Sequence, residues 1–385
     1  MARYHTQTPQ LVSTMIVPNN TGFVPPRPDS VIVDEGGTGH IPVEAGKTYR
    51  FRVINFSALT SSFLHIKSLD MHVIMTDASY VKKQVASVLR ISPAERYDFL
   101  VTIDEEQEDN IPFLFALDSN PDYTAGNTTF RFNFTGQLVV DPDGDLSQTD
   151  LVVLPFEPLD ETQLEAYDGL EAYGPVTKHW VLDFDFCLDS NGLPRSCFNS
   201  TTYIPQRVPT LYSAASLGRP DNANAAAYGQ VNPFIVEYGD VVEIVVNNHD
   251  IAIHPFHLHG HKFQVIERPA SNAGNWSGAS TDPASPAPPR KDTIAIQPQS
   301  YAVLRVVADN PGVWLFHCHI EWHVEMGLTA TLIEAPDRLA AFDIPADHLD
   351  ACRTMGIPTA GNAAGNAVWD DTNGFLTLPP TSYIG

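Results

Sequence analysis

The chain has 385 residues and a formal net charge of -24, which is long enough for two or more domains. The charge disfavours binding to nucleic acid or to anionic membranes, because both carry the same sign. Hydrophobic residues make up 43% of the sequence, yet no apolar run is long enough to span a membrane. The 31 prolines and 24 glycines favour many short strands joined by turns.

An internal repeat follows the irregular first 30 residues. Segment 43–55 alternates apolar and polar residues and ends at a turn, and segment 236–248 repeats it at an offset of about 193 residues. Alternation of this kind is typical of strands with one buried face. The pattern therefore predicts one type of β domain used twice. The matched pairs are Glu44 with Glu237, Gly46 with Gly239 and Asn55 with Asn248.

Strands and turns dominate the chain, so we expect an all-β fold of two Greek-key β-sandwich or barrel domains. We place the first domain at residues 1–150 and the second, with a linker and a tail, at 151–385. The acidic stretch 141–175 is interpreted as a solvated linker. Residues 270–291 predict a long surface loop, and a short helix is expected near 337–342.

Six glycosylation sequons indicate passage through the secretory route, and we expect a secreted or cell-surface glycoprotein. The first six residues lack the apolar core of a signal peptide. We therefore expect that an N-terminal piece precedes this chain in the natural protein. The sequons begin at Asn19, Asn55, Asn127, Asn133, Asn199 and Asn275.

The four cysteines fall into three classes. Cys187 and Cys197 flank a turn-rich loop and predict a local disulfide. Cys318 lies among histidines and is expected to bind a metal. This leaves Cys352 unpaired, which in a secreted protein suggests a partner outside the given sequence.

The segment 314–328 has the strongest chemical signal in the chain. An apolar strand leads to His317-Cys318-His319, so the two imidazoles face one way and the thiol faces the other. About one helical turn later, His323 can fold back toward the sulfur. A thiolate, two imidazoles and a weak or absent axial ligand describe a blue-copper electron-transfer site.

The second imidazole is expected from His254, in the segment His254–His261. His257 and His259 alternate as His317 and His319 do, so four imidazoles can converge if the strands are neighbours. We interpret His261 as a residue beside the ligands or on the surface. Zinc is the main alternative metal, but a single cysteine among many histidines favours copper.

The internal repeat serves as a control for this prediction. The first copy has Leu64, Ile66 and Leu117 where the second has histidines and the cysteine. The fold therefore does not require the metal-binding side chains. His65 and His72 of the first copy are interpreted as ordinary structural histidines.

The segments HPFHLHGH and HCHIEWHVEMGL resemble the copper-binding motifs of the multicopper oxidases, a family that includes laccases and fungal ferroxidases. The resemblance extends over the chain and implies cupredoxin-like domains. It also implies an acidic proton-relaying residue at Glu321 and copper ligands at seven positions. These are His254, Cys318 and His323 for type 1 copper with Leu328 at the axial position, His257 for type 2, and His259, His317 and His319 for type 3.

Two further histidine motifs of the family, HWHG and HSH, do not occur in this sequence. The resemblance therefore implies the second and third domains of a three-domain oxidase, with a complete type 1 site and half of the trinuclear ligands. The remaining ligands would come from an N-terminal domain or a partner chain. A copper-binding fragment without oxygen chemistry is the alternative, and a purely structural β-sandwich is a third hypothesis.

The resemblance implies a small-molecule reductant and dioxygen as co-substrate. Ferroxidases of the family place an acidic residue in a context that matches Thr21–Pro25, where this chain has Val24. A valine cannot bind Fe²⁺. We therefore expect oxidation of phenolic or pigment-precursor substrates, as in a laccase, with Fe²⁺ oxidation as the alternative.

Overall fold

The computed structural model describes residues 2–3, 30–31, 39–118, 133–147, 151, 153, 157–279 and 282–379. The chain divides into two compact units. Most of the first unit lies within Val24–Ala172 and Asp282–Ala295, and most of the second within Tyr173–Thr281 and Ile296–Gly385. The segment 282–295 thus belongs to the first unit although it follows much of the second in sequence.

The first unit is built from two sheets. Its strands are β1 (Ala2–Arg3), β2 (Ser30–Val31), β3 (His40–Pro42), β4 (Thr48–Ile54), β5 (Ser62–Ile66), β6 (Met71–Thr76), β7 (Ser79–Ala86), β8 (Val88–Ile91), β9 (Arg96–Thr102), β10 (Ile111–Leu117) and β11 (Asn133–Val139). The strand orders are β3-β11-β10-β5-β8 and β4-β9-β6-β7, and β1 pairs with β2 separately. Alternate residues of β9 (Tyr97, Phe99 and Val101) are buried, as expected for a strand with one face on the core.

The second unit also contains two sheets. Its strands are β12 (Lys178–Leu188), β13 (Pro194–Phe198), β14 (Pro233–Val236), β15 (Val241–Asn248), β16 (His254–Leu258), β17 (Phe263–Glu267), β20 (Ser300–Val307), β21 (Gly312–Cys318) and β22 (Thr329–Glu334). Two short strands, β18 (Arg290–Lys291) and β19 (Thr293–Ile296), lie in or at the end of the segment 282–295, which belongs to the first unit. Strands β13-β12-β15-β20-β17 are successive neighbours in one sheet, and β14-β22-β21-β16 in the other.

The strand order repeats between the two units. The series β3-β11-β10-β5 corresponds to β14-β22-β21-β16, and β4-β9-β6 corresponds to β15-β20-β17. Each of the two four-strand series contains one parallel pair, and these pairs occupy the same place in the series: β3 with β11, and β14 with β22. The predicted repeat and the predicted all-β class are both confirmed.

The second unit has a hairpin that the described part of the first unit lacks. Strand β12 pairs in parallel with β15 and antiparallel with β13, whereas β4, the counterpart of β15, is the edge of its sheet. The disulfide predicted between Cys187 and Cys197 is present and joins the two strands of this hairpin. The hairpin is therefore covalently closed.

Helices are short and few among the described residues. They are α1 (Thr210–Leu217), α2 (Glu321–Glu325), α3 (Pro336–Leu339) and α4 (Ala346–Met355). The helix predicted at 337–342 corresponds to α3, which ends earlier. Helix α4 was not predicted, and it buries none of its residues. No helix in the described ranges is long and apolar enough to cross a bilayer.

The sequons differ in their surroundings. Asn133, Asn199 and Asn275 are exposed, although the Asn199 amide donates to one backbone carbonyl at 3.0 Å. The Asn55 side-chain amide is half-buried and donates hydrogen bonds to two backbone carbonyls, at 2.8 and 2.9 Å. A glycan on Asn55 would replace one of the two amide hydrogens and so break at least one of these bonds. Asn19 and Asn127 lie outside the described residues. Cys352 is half-buried, with its sulfur 3.6 Å from the hydroxyl of a tyrosine in α1.

The acidic stretch 141–175 is not a solvated linker throughout, and that prediction is wrong for residues 161–166, most of which are buried. Leu164 and Ala166 are each 1% exposed, and Glu161 is 5% exposed. The Glu161 carboxylate lies 3.0 Å from Nζ of Lys291, which itself belongs to the stretch predicted as a surface loop. A pairing between residues so far apart in sequence leaves no local pattern.

Lys291 is the centre of a buried charge cluster in the first unit. Its Nζ lies 3.4 Å from Asp77, 3.3 Å from Glu95 and 3.0 Å from Glu161. Burial by itself would lower the pKa of Lys291, but the carboxylates raise it well above its ordinary value. Burial has the opposite effect on a carboxyl group, and it raises the pKa of Glu95 to about 7. The cluster attaches the segment 282–295 to its unit.

Replacing Lys291 with Met should lower the free energy of unfolding by about 3–5 kcal/mol, because the carboxylates would stay buried without their cation. The measurement is chemical denaturation of the metal-free chain. Lys67→Met is the matched control, since Lys67 is an exposed lysine of the same unit. Equal stabilities of the two variants would contradict the importance of the cluster.

Candidate metal centre

The two histidine-rich segments meet because β16 and β21 are antiparallel neighbours. Phe256 is opposite Cys318, and His257 is opposite His317. Directly opposed residues of an antiparallel pair project on the same face. His257 and His317 therefore share one face of the sheet, and Phe256 and Cys318 share the other.

Two further histidines complete the arrangement on the Cys318 face. His254 is the first residue of β16, and His323 lies in α2, just beyond the end of β21. The backbone N–H of Cys318 donates to the carbonyl of Leu328 at 3.2 Å, and that of Leu328 donates to the carbonyl of His323 at 2.9 Å. These bonds fold the segment after Cys318 back toward its sulfur.

Three potential metal ligands converge at this point. Sγ of Cys318 lies 3.7 Å from Nδ1 of His254 and 3.5 Å from Nδ1 of His323. The two Nδ1 atoms are 3.1 Å apart. The cysteine and His254 are fully buried, and His323 is 5% exposed. In the parts of the chain that the structure describes, this is the one group of three such ligands within 4.8 Å of one another.

The donor set fits a metal ion. Bonds of about 2.0–2.3 Å to nitrogen and sulfur, in a trigonal arrangement, place the donor atoms roughly 3.5–4 Å from one another. Burial raises the pKa of the Cys318 thiol, so a thiolate there needs a cation to balance its charge. Leu328 is fully buried and offers no donor atom. Two imidazoles and a thiolate without a strong fourth ligand suit copper better than zinc.

Asp250 fixes the orientation of one imidazole. Its Oδ2 lies 2.8 Å from Nε2 of His254. Burial would raise the pKa of Asp250, but the bond and the attraction from His254 lower it. An ionised carboxylate at Nε2 keeps the proton on that nitrogen and leaves Nδ1 available to a metal. Sequence analysis missed Asp250, although an acidic residue four positions before His254 was the available signal.

The opposite face carries a cluster of four half-buried imidazoles, His257, His259, His317 and His319. In five of the six pairs the ring centroids lie 4.9–6.0 Å apart. Nε2 of His259 and Nε2 of His317 are 2.9 Å apart, and Nδ1 of His317 is 2.9 Å from the carbonyl of Cys318. Burial, helped by the neighbouring imidazoles, lowers the pKa of His317 to about 3. A neutral imidazole is the form that binds metals.

His261 is buried, so the alternative of a surface position is wrong. It is 8% exposed, and its Nε2 lies 2.8 Å from a carboxylate oxygen of Glu334. Its Nδ1 is 3.2 Å from the carbonyl of His259. Burial lowers the pKa of His261, but the adjacent Glu334 more than offsets this and raises it. His261 thus links the main chain at His259 to a buried carboxylate.

Two acidic residues lie in α2. Glu321 is its first residue and is exposed, and its proton-relaying role stays a prediction. Glu325, which sequence analysis missed, is half-buried, and both burial and the charge of Glu321 raise its pKa. The site predicted from the ferroxidase context at Val24 lies outside the described residues.

Known proteins resemble this chain in sequence and in fold. The family described as Multicopper oxidase matches residues 3–144 and, through a second family model, residues 203–338. The crystal structure of Fet3p, "a Multicopper Oxidase that Functions in Iron Import", superposes with a TM-score of 0.90 and 31% identity, covering 96% of this chain and 71% of that one. The chain belongs to the multicopper oxidase family. Its fold is accordingly the cupredoxin fold of that family.

Iron transport multicopper oxidases are among its curated relatives. One from Epichloe festucae is 39% identical over 94% of this chain, and one from Saccharomyces cerevisiae is 34% identical over 95%. This chain spans 59% of the length of either relative. The laccase of Botrytis aclada, at 21% identity and a TM-score of 0.69, shares the fold.

Glu334→Gln should destabilise the metal-free chain more at low pH than at high pH. The folded pKa of His261 is raised, so its contribution is fully present below its unfolded pKa of about 6.5 and is lost as the pH rises through the folded value. Denaturation at both ends of that range measures the difference from wild type.

Glu237→Gln is the control, because Glu237 forms an exposed ion pair in the same unit. Its effect should be small at every pH. A penalty for Glu334→Gln that stays constant across the range would show that His261 is not charged in the folded chain.

Proposed function

We propose that this chain carries the type 1 copper site and one half of the trinuclear ligands of a multicopper oxidase. The observation that supports this best is the convergence of one buried thiol and two buried imidazole nitrogens. In this proposal residues 1–150 and 151–385 correspond to the second and third domains of the family. The ligands are His254, Cys318 and His323 for type 1 copper with Leu328 at the axial position, His257 for type 2, and His259, His317 and His319 for type 3.

When bound, copper would accept and release single electrons. The protein holds its ligands in a buried site, where His254 is oriented by Asp250 and the loop to Leu328 is fixed by backbone hydrogen bonds. Such fixed ligands need little rearrangement when the charge of the site changes. A leucine in place of an axial sulfur favours the reduced metal and a higher potential.

The two ligand groups are joined by the shortest covalent route available. Cys318 is bonded through the backbone to His317 and to His319, whose side chains belong to the cluster on the other face. The carbonyl of Cys318 also lies 2.9 Å from Nδ1 of His317. One segment of main chain therefore connects an electron-accepting site with a site suited to dioxygen.

For the natural reductant we infer Fe²⁺, in place of the phenolic substrate expected from the sequence. Relatives over the chain's length are named iron transport oxidases. The Asp250 carboxylate is 15% exposed, is bonded to a proposed type 1 ligand, and has a lowered pKa that keeps it ionised at neutral pH. Together with a net charge of -24, this attracts a cation to His254. In the complete oxidase, four Fe²⁺ would each give up one electron and become Fe³⁺, and one O₂ would take up four electrons and four protons to form two waters, with Glu321 passing protons.

Copper added to the metal-free chain should produce the intense blue absorption of a thiolate–copper site. Cys318→Ser should abolish the colour because the thiolate is lost. His257→Ala should keep it, because His257 lies on the other face of the sheet. Absorption and electron paramagnetic resonance spectra measure both. A colourless His257→Ala variant would contradict the division of ligands between the two faces.

Asp250→Asn should slow the bleaching of the blue band by Fe²⁺ by roughly tenfold or more, while hydroquinone is affected less. The neutral amide no longer attracts the cation, and an unshifted blue spectrum would verify that the site is intact. Anaerobic stopped-flow absorption measures the rates. Asp347→Asn, at an exposed carboxylate of the same unit, is the control. Equal slowing with both reductants would disprove a specific role in Fe²⁺ oxidation.

A further inference from the structure

The hairpin β12–β13 brings two aromatic rings to the candidate type 1 site. Phe184 and Phe186 are two residues apart on β12 and so project on the same face. The Phe184 ring is fully buried, with its centroid 4.5 Å from that of His254. The Phe186 centroid lies 5.3 Å from that of His323 and 6.2 Å from that of His254.

Phe186 is the outermost of these rings. It is 36% exposed, whereas His254 is fully buried and His323 is 5% exposed. It meets both imidazoles edge to face, at interplanar angles of 77° to His323 and 61° to His254. Phe186 therefore separates the edges of the two imidazoles from solvent on this side.

The hairpin holds Phe186 in a fixed position. The next residue, Cys187, is in the disulfide with Cys197. Ser196 is the β partner of Phe186, and its backbone N–H donates to the carbonyl of Met326 at 2.9 Å. Met326 lies between His323 and Leu328 in sequence. The strand that carries Phe186 is thus fastened to the loop that carries one of the imidazoles.

A reductant would therefore reach the two imidazoles by different routes. At His254 the approach is polar, through the partly exposed carboxylate of Asp250. At His323 it is covered by the apolar ring of Phe186. A small hydrated cation can use the first approach, but a planar organic reductant needs close contact with an imidazole edge.

We propose that Phe186 determines the class of reductant that the site accepts, by excluding planar organic molecules from His323 and leaving the Asp250 side to metal cations. This rests on the proposed function, since it concerns the same type 1 site. Phe186 acts by occupying space, so a ring of equal or larger size should preserve the selectivity and a small side chain should abolish it.

The first test uses the copper-loaded chain under anaerobic conditions, with bleaching of the blue band by Fe²⁺ and by hydroquinone. Phe186→Ala should raise the ratio of the hydroquinone rate constant to the Fe²⁺ rate constant by about tenfold or more. A ratio is used because a changed copper potential alters the driving force for both reductants. Phe186→Trp should keep the wild-type ratio.

Leu188→Ala is the matched control, since Leu188 lies on the same strand and is 72% exposed. Its ratio should equal that of wild type. An unchanged ratio in Phe186→Ala would overturn the proposal. A lower ratio would also overturn it, because the ring would then be a platform on which phenols bind.

The second test needs no metal. Diethyl pyrocarbonate modifies accessible neutral imidazoles, and mass spectrometry of peptides measures the rate at each histidine. Phe186→Ala should accelerate modification of His323 several-fold relative to His348, an exposed histidine in α4. An unchanged relative rate would show that Phe186 does not cover His323. A wild-type chain that never turns blue would refute the proposed function, and this second test would still decide the role of Phe186.

Discussion

The antiparallel pairing of β16 with β21 is the constraint on which the candidate site depends. Because Phe256 is opposite Cys318 and His257 is opposite His317, the thiol lies on one face of the sheet and the two imidazoles lie on the other. A shift of one residue in this register would exchange the faces and separate the sulfur from His254, which lies on the other strand. The metal site and the sheet register are therefore one structural feature, and the sequence has to specify both together.

Much of this could be predicted because the signals are local or repeated. Strand alternation, the matched segments 43–55 and 236–248, and histidines spaced by two residues each reflect the period of a β-strand. The repeat also indicated which side chains the fold does not require, since the first copy has Leu64, Ile66 and Leu117 where the second has its proposed ligands. The disulfide of the β12–β13 hairpin followed from two cysteines around one turn.

The features that could not be predicted depend on contacts between distant residues. Glu161 and Lys291 are 130 positions apart in sequence, and their ion pair turns a supposed solvated linker into part of a core. His261 and Glu334 are likewise separated by several strands. Asp250 had a local signal, but an acidic residue before a histidine gains meaning only when the turn between them is known.

These long-range contacts also bear on the choice of reductant. The sequence alone pointed to phenols through Val24, whereas the carboxylate at His254 and the ring at His323 point to a cation. Charge attracts the substrate on one side of the site, and an apolar side chain restricts the other. Selectivity in this account comes from what surrounds the ligands, and the ligands themselves are compatible with either substrate class.

The most direct test of the central claim is X-ray absorption spectroscopy of the chain loaded with one equivalent of copper. The account predicts one sulfur and two imidazole nitrogens as close neighbours of the metal. A spectrum with nitrogen and oxygen neighbours alone, at full copper occupancy, would contradict it.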